Sequence, residues 1–350
     1  MKTTHNTLLS VLCVLLTAGF CGCSTTPLRM EERAMSPAAQ AGRKIVERRA
    51  ARLRQAISPL KTRGVGITLS SYRHDRLPDA EIMELVKKLG FNRIYCGISS
   101  ESELSGDLER LVTAASAAGI PVELYLRQGD FKYRFRGNAL VRSLLPQFRQ
   151  LPELAQEIAD FNDSLPEKAK LAGVTVRFEP HLLTSANGAE EIPGLHYLWS
   201  SHTFGAGLDN DKLVEISIDQ LKKMKKNLGT LPLAVELPDF YPVWKKEGKL
   251  TLGSAGDFSA VGQVLIQCSG NLPSQLVARC GDAMQGKKKM LAVIPMADHT
   301  SVRSGALRRR DWNDLVRTLE YFVNSSRKIN CSGVVIRPLS ELGYMLLEQD

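Results

Sequence analysis

Alternating apolar and polar positions mark short strand-like runs along most of the chain. In one of them, Val122, Leu124 and Leu126 alternate with more polar side chains, and this period of two predicts a β-strand with different surroundings on its two faces. Runs of this kind recur from Gly64 to the C-terminal region. They predict eight strands, at residues 64–71, 91–99, 120–128, 174–181, 231–238, 264–270, 290–298 and 333–339.

Segments with the period of an amphipathic helix separate these strands. They lie at residues 79–90, 106–119, 151–173, 209–229, 272–284 and 309–326. Eight strands that alternate with helices predict an α/β fold, and specifically a (β/α)8 TIM-like barrel over residues 64–350. A doubly wound open sheet is the alternative, but no glycine-rich phosphate loop follows the first strand.

The N-terminal residues have the pattern of an export signal. Lys2 precedes an apolar run from Leu8 to Leu16 and then a group of small residues, which predicts a secretory signal rather than a membrane span. The sequence "FCGC" at residues 20–23 resembles a bacterial lipobox. This resemblance implies a signal peptide over residues 1–22, acylation of Cys23 and a lipidated tether over residues 23–37. Since Ser24 follows the cysteine, it also implies anchoring in the cell envelope, at the outer membrane.

The positive charge is concentrated just before the predicted barrel. The chain has a net charge of +9, and residues 29–63 contain ten Lys and Arg residues against three Glu residues. The remaining sequence is therefore close to neutral, which does not support binding of nucleic acid. Within residues 38–63 an apolar stripe at helical spacing predicts a basic amphipathic helix: Val46, Ala50, Leu53, Ile57 and Leu60. Such a helix either lies on anionic lipid or packs against the barrel, and we favour packing, with the arginines facing solvent.

The polar positions of the strands form a second set. In a barrel one face of each strand packs on helices and the other points inward, so the alternation directs polar side chains to the interior: Ser70, Tyr72, Glu123, Tyr125, Arg127, Arg177, Glu179, Glu236, Gln267, Ser269 and Arg337. These residues form either a ligand pocket at the C-terminal end or a network of structural ion pairs. We predict a structural role for Glu123 and Arg177, and a functional one for Glu179 and Glu236.

Carboxylates on neighbouring strands predict hydrolysis of a glycosidic bond, which requires a pair of them. Glu179 would serve as general acid and Glu236 as nucleophile or base, and Asp298 could replace either. Long loops after the fourth and fifth strands carry aromatic and histidine side chains, which either stack on sugar rings or fix the loops by packing. The predicted substrate-binding residues are Tyr72, Tyr125, Arg127, His181, Trp199, His202, Tyr241, Trp244, His299 and Arg337.

Residues 64–350 resemble the glycoside-hydrolase-like (β/α)8 barrels. The resemblance rests on the pattern of strands and helices and on the glutamate of "RFEPH" in the fourth predicted strand. The resemblance implies a carbohydrate ligand and hydrolysis without a cofactor. The large retaining group of that class has Asn before this glutamate and a second glutamate after the seventh strand, whereas this chain has Phe178 and then Asp298 and His299. A barrel that binds saccharide without cleaving it is therefore an alternative.

A metal-dependent isomerase-like or phosphodiesterase-like barrel is a third interpretation. Its ligands would come from Glu179, His181, His202, Glu236, Asp298 and His299. Their spacing matches no recognised metal motif, so the sequence predicts neither a metal nor an organic cofactor.

Overall fold

Eight parallel strands close into a barrel. The computed structural model describes residues 37–60, 64–69, 78–98, 101–126, 139–177, 210–237, 245–246, 249–250, 258–268, 288–298, 308–309, 311–325 and 331–347. The strands are β1 (Val65–Leu69), β2 (Arg93–Ile98), β3 (Val122–Leu126), β4 (Gly173–Arg177), β5 (Leu233–Leu237), β6 (Gln263–Gln267), β7 (Lys289–Pro295) and β8 (Cys331–Arg337). Each strand pairs with the strands before and after it in the chain, and β8 pairs with β1. The predicted (β/α)8 barrel is confirmed.

Helices surround the barrel. Those described are α1 (Pro37–Ile57), α2 (Asp79–Leu89), α3 (Gly106–Ala117), α4 (Ala139–Ser164), α5 (Asn210–Leu228), α6 (Trp312–Ser325) and α7 (Leu339–Leu347). Helix α4 begins earlier than the predicted residue 151, and the helix predicted over residues 272–284 lies outside the described residues. Among the helices of the described ranges, none has the length and apolar character needed to cross a bilayer.

The core has two parts, as the strand alternation predicts. Positions such as Val122, Leu124 and Val176 pack with apolar side chains of the helices in one large cluster. The alternate positions form a smaller cluster inside the barrel, made of Tyr95, Tyr125, Ala234, Leu265, Leu291, Val293 and Val335. The interior is therefore filled by side chains, as in other closed eight-stranded barrels.

Helix α1 is packed onto the barrel domain. All five residues of the predicted apolar stripe are buried; four lie in α1, and Leu60 lies in the 3-10 turn Ser58–Leu60 that follows it. The helix contacts α2, α6 and α7. Two of its arginines also face inward. The Arg49 side chain is buried and donates to the Met345 carbonyl at 2.6 Å, and Arg54 donates to the Lys88 carbonyl at 2.7 Å. The prediction that the arginines of this helix face solvent is therefore wrong for Arg49, because α7 offers it a carbonyl acceptor.

Candidate functional site

Three inward-facing side chains meet near the C-terminal end of the barrel. Nη1 of Arg337, the last residue of β8, donates to Oε1 of Glu236 on β5 at 2.8 Å, and Nη2 donates to Oε2 of the same carboxylate. The guanidinium also lies over the Tyr125 ring on β3, with its carbon 4.4 Å from the ring centroid. We call Tyr125, Glu236 and Arg337 the upper network. It spans the barrel interior, because β3, β5 and β8 are not adjacent strands.

Electrostatics favours the charged form of Arg337. The Glu236 side chain is 1% exposed and that of Arg337 is 18% exposed. Burial alone would lower the pKa of Arg337, but the charge and hydrogen bonds of Glu236, together with Tyr125, outweigh it, and the pKa lies above its usual value. The guanidinium thus remains a cation, and the two parallel hydrogen bonds fix the plane of the Glu236 carboxylate.

Two buried polar atoms beside this pair have no hydrogen-bond partner within the described part of the chain. They are Nε of Arg337 and Oγ1 of Thr68, and Thr68 is 3% exposed. Strands β1 and β8 pair in register up to Ile67 with Ile336, so Thr68 and Arg337 are the next residues of two adjacent strands. Because buried polar groups are nearly always hydrogen-bonded, each of these two atoms has the capacity to pair with a ligand hydroxyl or a water.

A second group lies towards the N-terminal end of the barrel. Nη1 of Arg93, the first residue of β2, donates to Oε2 of Glu123 at 2.8 Å, and the Thr175 hydroxyl donates to Oε1 of the same carboxylate. We call Arg93, Glu123 and Thr175 the lower network. Since active sites of (β/α)8 enzymes lie at the opposite, C-terminal end, this network fits the predicted structural role of Glu123.

The lower network is less well compensated electrostatically. Burial raises the pKa of Glu123, although Thr175 and Arg93 act in the opposite direction. Burial, together with the neighbouring Glu123 carboxylate, also raises the pKa of Tyr95. The Tyr95 ring occupies space that Gly66 leaves open, because a Cβ at position 66 would lie 2.4 Å from Cε2 of that ring.

The upper network contains three of the predicted site residues. Arg177, predicted to be structural, lies directly beside Glu236 in the register of β4 and β5. For Asp298 only the backbone is described, in a two-residue strand paired with Arg308–Arg309. The other predicted site residues lie outside the described residues: Tyr72, Arg127, Glu179, His181, Trp199, His202, Tyr241, Trp244 and His299, together with the acylation site Cys23.

Three interior residues were not among those predicted. Arg93, Thr175 and Thr68 all occupy inward positions of their strands. The alternation of Ile94, Cys96 and Ile98 already indicated that Arg93 faces inward. Basic residues are also common at the end of the surface loop that precedes a strand, so the alternation alone did not identify Arg93 as an interior residue.

The described residues give no support to a metal site at Glu236. No group of three or more His, Cys, Asp or Glu side chains within the described ranges is placed to hold a metal ion. Both oxygens of Glu236 accept hydrogen bonds from Arg337. The side chains of the other residues considered as ligands lie outside those described, so the described structure does not test the metal-dependent interpretation.

Sequence comparison finds no matching protein family and no matching curated protein. In structure, the chain is similar to a β-mannanase from the blue mussel Mytilus edulis, with 12% identity, a TM-score of 0.48 and coverage of 81% of this chain and 91% of that one. It is also similar to an endo-1,4-β-mannanase from Eisenia fetida, with 11% identity, a TM-score of 0.48 and coverage of 77% and 82%.

A third similar structure is a family 1 β-glucosidase from Thermotoga maritima, with 11% identity, a TM-score of 0.44 and coverage of 74% and 76%. All three are glycosidases by name, but likeness at this level carries no argument about activity. The fold assignment rests on the strand order of this chain itself.

Proposed function

We propose that the protein is an envelope-anchored, carbohydrate-active barrel that hydrolyses a glycan, with Glu236 as one of its two essential carboxylates. The observation that carries this proposal is the upper network. A buried carboxylate near the C-terminal end of the barrel is held in one orientation by Arg337. Catalytic carboxylates need such fixed placement, and the C-terminal end is where (β/α)8 enzymes build their sites.

The chemistry assigns Glu236 the role of nucleophile or general base. A carboxylate that pairs with a guanidinium serves as an anion, whereas the general acid of a glycosidase must carry a proton. We assign that acid to Glu179, with Asp298 as the replacement for either member of the pair. The sequence supports this assignment, because residue 179 follows Arg177 by two positions and period-two alternation predicts an inward direction for it.

The unpartnered atoms support a ligand rich in hydroxyl groups. The Nε–H of Arg337 donates only, and the Thr68 hydroxyl both donates and accepts. A sugar hydroxyl can accept from the first and donate to the second.

The test is hydrolysis of a panel of glycans, including peptidoglycan fragments, by the wild-type protein. We expect turnover that falls at least about a hundredfold in Glu236→Gln and in Glu179→Gln, the scale of losing a general acid or base. The matched control is Glu123→Gln, which removes a carboxylate that is also buried and also pairs with an arginine, but at the other end of the barrel. It should keep most of the activity.

Saccharide binding without turnover is the second candidate. The observation in its favour is that both oxygens of Glu236 already accept hydrogen bonds from Arg337, so neither is reserved for a reacting atom. Binding of the same glycans, measured by calorimetry, separates the two candidates. Binding without turnover that is lost in Arg337→Met would establish the binding barrel, and absence of both would overturn both.

The anchoring part of the proposal has its own test. Metabolic labelling with palmitate, followed by membrane fractionation, should show acylated protein in the outer-membrane fraction. The Cys23→Ser variant should lose the label, while Cys21→Ser, two residues earlier in the same motif, should keep it. Labelling that survives in Cys23→Ser would show that this cysteine is not the anchor.

A further inference from the structure

Helix α1 presents a row of exposed cations to the outside of the molecule. Lys44, Arg48 and Arg52 are exposed and four residues apart, so their side chains follow one another along the helix, one turn at a time. We call these three residues the basic row. It lies away from the buried stripe that contains Val46 and Leu53.

The basic row is not neutralised by the described part of the protein. The only acidic residue within α1 is Glu47, and it pairs with Arg43 at 2.9 Å, a residue outside the row. Within the described ranges no ion pair involves Lys44, Arg48 or Arg52. Lys223 of α5 differs in this respect, because it pairs with Asp219 at 2.7 Å.

The packing of α1 determines how the row can act. An amphipathic helix normally binds a membrane by inserting its apolar face, but here that face is buried against α2, α6 and α7. Only the charged side chains of the basic row remain available for contact with a membrane surface. Contact with a surface would therefore be electrostatic, without insertion, and would be weakened by salt.

We propose that the basic row is a docking surface for the anionic phospholipid headgroups of a membrane, and that it orients the barrel on that membrane. The position of α1 in the chain supports this partner. The helix begins at Pro37, fourteen residues after Cys23, and a fully extended segment of that length spans at most about 50 Å. A lipid at Cys23 would hold the start of α1 within this distance of the bilayer, and the row begins seven residues further along the helix, at Lys44. The electrostatic contact itself does not need the lipid.

Vesicle co-sedimentation of the chain comprising residues 24–350 tests this inference, since this chain contains every described element of the fold and lacks the acyl group. We expect binding to vesicles rich in phosphatidylglycerol, release by high salt and no binding to pure phosphatidylcholine. Replacing the row with Lys44→Gln, Arg48→Gln and Arg52→Gln should lower the partition coefficient on the order of a hundredfold, because each cation contributes about 1 kcal/mol.

The matched control removes the same charge from another helix. Lys222, Lys223 and Lys226 of α5 are exposed, and their replacement by Gln should lower binding less than about threefold, since no membrane contact is proposed for them. Equal losses in the two triple variants would mean that net charge alone drives binding, and would overturn the inference. The inference would also be overturned if the row variant bound the vesicles as tightly as the wild type, or if the protein bound vesicles of pure phosphatidylcholine. Binding to heparin without binding to vesicles would overturn it as well. None of these outcomes depends on glycan hydrolysis.

Discussion

Arg337→Met removes the cation of the upper network and deprives Glu236 of the guanidinium that donates to both of its oxygens. Glu236 is 1% exposed, so the carboxylate cannot regain solvation without movement of the strands. Loss of one partner from a buried ion pair costs about 3–5 kcal/mol, and the lost contact with the Tyr125 ring adds about 0.5–2 kcal/mol. We therefore expect the free energy of unfolding to fall by about 3.5–7 kcal/mol.

The complementary changes sharpen this expectation. Glu236→Gln should cost less than Arg337→Met, because Arg337 keeps the Tyr125 ring and is 18% exposed. The double variant Arg337→Met/Glu236→Leu removes both charges and should recover most of the loss, to within about 2 kcal/mol of wild type. Arg317→Met on the exposed surface of α6 is the control and should change stability by less than about 0.5 kcal/mol.

Urea unfolding followed by circular dichroism measures these differences, provided that the slope with denaturant is the same in all variants. A loss below about 1 kcal/mol in Arg337→Met would refute the reasoning, because a buried carboxylate cannot lose the guanidinium that donates to both of its oxygens at so small a cost. A double variant no more stable than Arg337→Met would refute it as well. That result would show that packing of the arginine, and not its charge, stabilises the barrel.

Three further changes probe other parts of the fold. Burial raises the pKa of Glu123 above its ordinary 4.5, so the folded state binds the proton of this carboxyl more tightly than the unfolded state does. Wild-type stability should therefore fall relative to Glu123→Gln as the pH rises from 4.5 to neutrality. A difference in unfolding free energy that stays constant with pH in urea titrations would contradict this. A Cβ at Gly333 would lie 2.1 Å from the Gly64 carbonyl oxygen, so Gly333→Ala should lower the free energy of unfolding by about 3 kcal/mol. Gly106→Ala is the control: a Cβ there would have no atom within 4 Å, and the melting temperature should stay unchanged. Leu53→Ala in α1, at 0% exposure, should cost about 2–5 kcal/mol; a loss below about 1 kcal/mol would mean that α1 is not part of the cooperative unit.

The sequence predicted the inward direction of the upper network but not its contacts. Period-two alternation placed Tyr125, Glu236 and Arg337 inside the barrel, and each lies there. The partner of each charge remained open, since several arginines and glutamates shared the same face. Glu123 is an example: its partner is Arg93, which was not among the predicted interior residues.

What the sequence determines by itself is local: which segments are strands or helices, and which face of each is apolar. These follow from hydrophobic periodicity, because a side chain's position relative to its neighbours in the same element sets its direction. The closure of the barrel was inferred from the count and alternation of these elements, and the strand order bears it out.

Which charges meet was decided only by the tertiary structure. Glu236 and Arg337 are separated by 101 positions in the chain, and no local pattern connects them. Closure of eight strands brings their inward faces together, and the stagger of each strand sets the height at which a side chain enters the interior. The long-range packing that fixes this stagger therefore selects the Glu236–Arg337 pair from among the charges that the sequence directs inward.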